Sequence, residues 1–113
     1  MDELRIGEPT RGSSTGRPIM VLLDALGRRG ALRVIWELRD GRSLTFRALV
    51  DACDSNPGAI NTRVKELRAL QLLGHDRGGY HLTLHGLELM VVLGPLSRWA
   101  EGWAQKMDVD AAE

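Results

Sequence analysis

A single cysteine, few aromatic rings and no long apolar run set the first limits on this chain of 113 residues. Cys53, alone, cannot close an internal disulfide, and a lone thiol suits a reducing, cytoplasmic setting. Aromatics make up only 4% of the sequence, too few to build a deep ligand pocket from rings. No apolar stretch approaches the roughly 18 residues that a membrane span needs. The opening Met1-Asp2-Glu3 is acidic and is followed by no apolar core of a secretory signal. Net charge is also missing, with 15 basic against 15 acidic residues. That balance excludes a globally basic nucleic-acid binder but not a local basic surface. Lys and Arg outnumber Asp and Glu six to four over residues 41–80, while residues 81–113 carry two against five. A surface for a polyanion is therefore expected in the middle of the chain.

Catalytic constellations are absent as well. No Ser/His/Asp set or paired carboxylate stands out, and Asp24, Glu37 and Asp40 read as exposed helix charges. Gly7-Glu8-Pro9-Thr10-Arg11-Gly12-Ser13-Ser14 has the glycines of a phosphate loop without its lysine or a preceding apolar strand. His81 and His85 are four apart but straddle a strand-to-helix junction, and no second ligand cluster accompanies them. Cys53 lacks a basic neighbourhood, and Asp51 and Asp54 should raise its pKa. The expectation is a protein that is not an enzyme, with no metal and no cofactor.

What the chain does contain is helical periodicity. Residues 1–16 are polar and rich in Gly, Ser and Thr, and read as a flexible arm. Ile19, Leu22, Leu23 and Leu26 share one face of a first helix, which Gly27 can end. A second helix from Ala31 to Arg39 puts Leu32, Ile35 and Trp36 on one side and Val34 and Leu38 beside them, so it should sit centrally. Ser43-Leu44-Thr45 can form a short strand, and Phe46, Leu49 and Val50 mark a short third helix. Asp54-Ser55-Asn56-Pro57 combines capping side chains with a proline suited to a first helical position, and opens a fourth helix running to about Leu70. Arg77-Gly78-Gly79 between two short apolar segments reads as a hairpin. Thr83 can cap a fifth helix, which Gly94-Pro95 is expected to break or kink. Leu96, Trp99, Trp103 and Met107 then form the stripe of a last helix, and residues 108–113 an acidic tail.

This order is that of a winged helix-turn-helix domain, expected over residues 17–107. The class is α+β and mainly helical, with a two- to three-stranded wing sheet and terminal dimerisation helices. With Ile60, Val64 and Leu67 turned inward, the fourth helix points Gly58, Asn61, Thr62 and Lys65 outward. Amide and hydroxyl side chains suit base edges, Lys65 suits a phosphate, and Ser55 and Asn56 at the helix start join them. Arg63 lies on the flank, where it either meets a phosphate or pairs with an acidic neighbour. Arg77, in the wing, is a candidate for the minor groove or its phosphates.

Four segments resemble the HxlR family of MarR-like bacterial regulators. They are Phe46-Arg47-Ala48-Leu49, Ile60-Asn61-Thr62-Arg63-Val64-Lys65-Glu66-Leu67, Tyr80-His81-Leu82-Thr83-Leu84-His85-Gly86, and Pro95-Leu96-Ser97-Arg98-Trp99. The resemblance implies a dimeric, sequence-specific DNA-binding regulator, a repressor by operator occupancy. A small-molecule effector is left open. Where that family opens its first helix with Cys-Pro, this chain has Arg17-Pro18, so thiol sensing is not carried over. Its Gly-x-Lys-Trp appears here as Gly27-Arg28-Arg29-Gly30. A helix after the wing has little core left to cover. Leu96, Trp99, Trp103 and Met107, joined by Ile19, Leu22 and Leu23, are therefore expected at a homodimer interface. The alternative is a winged-helix module that binds protein and not DNA.

Overall fold

The computed structural model describes residues 4–112, leaving Met1, Asp2 and Glu3 of the arm and Glu113 of the tail outside the description. Five helices and one hairpin follow each other as α1 (Pro18–Leu26), α2 (Ala31–Glu37), α3 (Phe46–Cys53), α4 (Pro57–Ala69), β1 (Leu73–Asp76), β2 (Gly79–Leu82) and α5 (Leu84–Ala112). The strands pair antiparallel in the register Leu73 with Leu82 and Asp76 with Gly79. Leu44 adds a third, one-residue rung, exchanging both backbone hydrogen bonds with Tyr80 at 3.0 and 2.7 Å. Gly79 makes this approach feasible. Its φ of +112° is left-handed territory, and a Cβ there would collide with the Leu44 carbonyl.

The core gathers Val34, Ile35 and Leu38 of α2, Leu49 of α3, Ile60, Val64 and Leu67 of α4, and Leu72, Leu73, Tyr80 and Leu82 of the hairpin. Central placement of α2 is thus realised, but by a different face. Leu32 and Trp36 are half exposed, and the Arg39 guanidinium lies 4.0 Å over the Trp36 ring. Ala31, Val34, Ile35 and Leu38 do the packing, so the buried side of this short helix is set by its neighbours.

Two other segments make arrangements that their sequence does not announce. Residues 4–16 do not stand clear of the domain. Leu4 is buried against Val21 and Ala25 of α1, Thr10 and Ser13 exchange backbone hydrogen bonds, and the Thr10 hydroxyl donates to Asp24 Oδ2 at 2.6 Å. Leu4, Thr10 and Ser13, which accepts from the Arg17 N–H at 3.1 Å, are among the residues that hold the segment, and they produce no periodic signal. The helix expected to break or kink at Gly94-Pro95 is not broken there but runs on through Pro95 to Ala112, absorbing most of the acidic tail. Proline removes one backbone donor from a helix but does not oblige it to stop.

Candidate nucleic-acid interface

The α3–turn–α4 unit is built by local chemistry. Thr45 caps α3, its hydroxyl accepting from the Ala48 N–H at 3.1 Å. Asp54 turns the chain in a left-handed conformation (φ 49°), and the Asn56 side chain accepts from the Ala59 N–H at 2.8 Å with Pro57 following at the first helical position. Three buried side chains, Ile60, Val64 and Leu67, then fix the rotation of α4 about its axis.

That rotation leaves Ser55, Asn56, Gly58, Asn61, Thr62 and Lys65 exposed on one side of the molecule. Thr62 donates its hydroxyl proton to the Gly58 carbonyl at 3.1 Å. Arg77, also exposed, lies in the β1–β2 turn, where Asp76 Oδ1 accepts from the Gly78 N–H at 2.8 Å and shapes the tip. Arg63 differs from its neighbours. Its Nε lies 2.9 Å from Glu66 Oε1 and its Nη1 donates to the Arg29 carbonyl at 3.3 Å. Arg63 thus pairs with an acidic neighbour, Glu66.

Glu66 is the hinge of a network that the linear sequence does not announce. It also receives a hydrogen bond from Arg28, 38 positions earlier, and Arg28 in turn faces Asp24 Oδ1 at 3.4 Å. The Thr10 hydroxyl, and next the Arg28 guanidinium, hold the Asp24 carboxyl below its ordinary pKa despite its burial. A chain of polar contacts therefore runs from residues 4–16 through α1 to the flank of α4. The Asp24–Arg28 and Arg63–Glu66 pairs, four and three apart in sequence, carried a local signal, whereas the Thr10–Asp24 and Arg28–Glu66 links did not.

Elsewhere, Cys53 has its pKa raised, first by burial and then by the Glu37 carboxylate, and not by the adjacent aspartates. A thiol so placed is a poor nucleophile at neutral pH. His75 stacks on Tyr80 at 4.2 Å, His81 lies 3.7 Å from Asp76 and His85 3.7 Å from Glu88. The histidines are thus distributed among three separate partners.

The face assigned to dimerisation is apolar and open in the single chain. Ile19, Leu23, Leu96, Trp99, Trp103 and Met107 are each more than half exposed, and Leu22 is partly buried against the core. Trp99 and Trp103 stack on each other at 5.7 Å. Of α5, Leu89 and Met90 pack on the core, whereas Val91 and Val92, like the Trp stripe, are open. No helix among the described residues is long and apolar enough to cross a membrane.

No protein-family model matches the chain, and no curated protein matches it in sequence. Among solved structures it is similar to the quinone-bound YodB from B. subtilis. The TM-score is 0.69 at 23% identity, over 75% of this chain and 96% of that one. The likeness establishes the winged-helix fold.

Proposed function

We propose that the protein is a dimeric, sequence-specific DNA-binding regulator of transcription, of the HxlR type, that represses by occupying an operator. The observation that carries this reading is the outer face of α4. Asn61, Thr62 and Lys65 stand exposed on a helix whose opposite side is locked into the core, with the Arg77 turn as the wing. An amide and a hydroxyl near the helix start can read base edges in the major groove, and Lys65 can neutralise a phosphate. The likeness to YodB supports the fold that this reading uses. In this reading Ser55, Asn56 and Gly58 approach the backbone at the start of α4, and Arg63 braces the helix from its flank.

The open stripe of α5, with Ile19, Leu22 and Leu23 of α1, is the surface through which a second copy binds. Exposed apolar area of this extent favours burial, and a two-fold pair would place two α4 helices on one side of the duplex. The regulator would work in the cytoplasm, without catalysis and without a resident cofactor. The reading leaves room for a small-molecule effector, and YodB is itself described with a bound quinone.

A salt titration on random-sequence duplex tests the first element of this proposal. A DNA binder loses affinity steeply as salt rises, with a log–log slope of about −0.9 per phosphate contacted. A flat, weak response would instead favour a module that docks protein on the same faces.

A further inference from the structure

Beside the reading face, the α1–α2 turn and the flank of α4 enclose an open cleft of about 500 Å³. It is lined chiefly by Arg11, Arg28, Arg29, Thr62, Arg63 and Glu66. Four guanidiniums around one opening are balanced by only two carboxylates, Asp24 and Glu66. Arg28 is the deepest of the four, its side chain 10% exposed. Nε faces Asp24 and Nη1 donates to Glu66, but Nη2 is buried with no hydrogen-bond partner among the described residues. Arg63 Nε is close to Glu66 yet poorly aligned for a hydrogen bond. Buried donors are nearly always satisfied, and an unsatisfied charged one is costly. Arg29 is exposed, as is Arg11, whose Nε lies 3.9 Å from Asp24 Oδ1.

We propose that this cleft binds a small oxyanion, a phosphate or carboxylate group. Arg11 and Arg29 capture it, and a small rotation of the Arg28 guanidinium toward the opening gives it the donor that now has no acceptor. The planar fork of arginine matches two oxygens of such a group at once. An occupant would touch Thr62 and Arg63 and so sit against the helix assigned to DNA. The same chemistry is offered by a free anion and by a backbone phosphate of the duplex. The site itself does not require that α4 read DNA.

The test is an NMR titration of the full chain with inorganic phosphate at constant ionic strength, with chloride as the balancing anion. The proposal predicts saturable amide shifts at Gly27, Arg28, Arg29, Thr62 and Arg63. The double variant Arg11→Ala/Arg29→Ala, altered only at exposed side chains, should bind phosphate about tenfold more weakly, equivalent to about 1.4 kcal/mol. A second arm repeats the titration with saturating duplex. Phosphate shifts that persist identify a free anion as the occupant, and shifts that vanish while the variant's salt slope for DNA falls identify the backbone phosphate. If the protein fails to bind DNA but the phosphate shifts saturate, the DNA reading fails and the anion site stands. Small linear shifts, the same in wild type and variant, overturn the site.

Discussion

Asn61, Thr62 and Lys65 are exposed on α4 and make no contact that holds the core, so shortening them probes recognition without probing folding. Asn61→Ala or Thr62→Ala should cost about 1–3 kcal/mol at the preferred site and relax the choice of one base pair. Lys65→Ala should weaken all sequences alike and reduce the salt slope by about one. Fluorescence anisotropy on specific and random duplexes separates the two behaviours. At Asp24 the question is stability. Its carboxyl is held below the ordinary value, first by Thr10. The stability it contributes is therefore present above its unfolded pKa, about 4, and is lost as pH falls through the lower folded value. Thr10→Ala should lower the urea midpoint at neutral pH, and the gap from wild type should shrink in acid, below about pH 4. The outward residues of α4 were legible because three apolar residues at helical spacing fix a face. The Thr10–Asp24–Arg28–Glu66–Arg63 chain was not, since the links that join it, Thr10–Asp24 and Arg28–Glu66, connect three distant segments and follow no period.

Elements show the same division between local and non-local causes. The Asn56 cap of α4 was visible in sequence, because a capping side chain and its target N–H lie three residues apart, whereas Thr45, read as part of a short strand, caps α3 by the same spacing. Likewise Thr83, expected to cap the helix after the wing, accepts from the Gly86 N–H at 3.2 Å. The outward turn of Leu32 and Trp36 and the passage of α5 through Pro95 depend on surroundings that no short window contains. Two glycines of α5 make a paired test with opposite signs. A Cβ at Gly86 would collide with the Leu72 carbonyl and press on Leu82, whereas one at Gly102 would meet nothing within 4 Å. Gly86→Ala should therefore destabilise by about 1–3 kcal/mol through overpacking. Gly102→Ala should stabilise by about 0.5–1 kcal/mol, since alanine loses less backbone freedom in a helix. Thermal unfolding followed by circular dichroism reads both.

At the scale of the molecule, the extents of 54 × 35 × 26 Å describe an elongated chain. Its longest helix, α5, carries an apolar stripe that its own core leaves open. If that stripe is a subunit interface, Trp103→Glu should give a monomer in sedimentation while leaving the α4 face intact, because the new charge would be buried without a partner. One recognition helix and one wing offer few contacts. The monomer should then bind DNA only in the non-specific range, roughly 10⁻⁴–10⁻⁶ M at physiological salt. A two-fold pair instead sets its α4 helices about one helical turn, ~34 Å, apart on one face of the duplex. The most direct test is the affinity of the wild-type protein for a selected operator before and after insertion of about half a helical turn, roughly five base pairs, between its half-sites. The account predicts an inverted repeat with centres about 10 base pairs or a multiple apart, and a fall to non-specific affinity on insertion. Unchanged affinity after the insertion would contradict it.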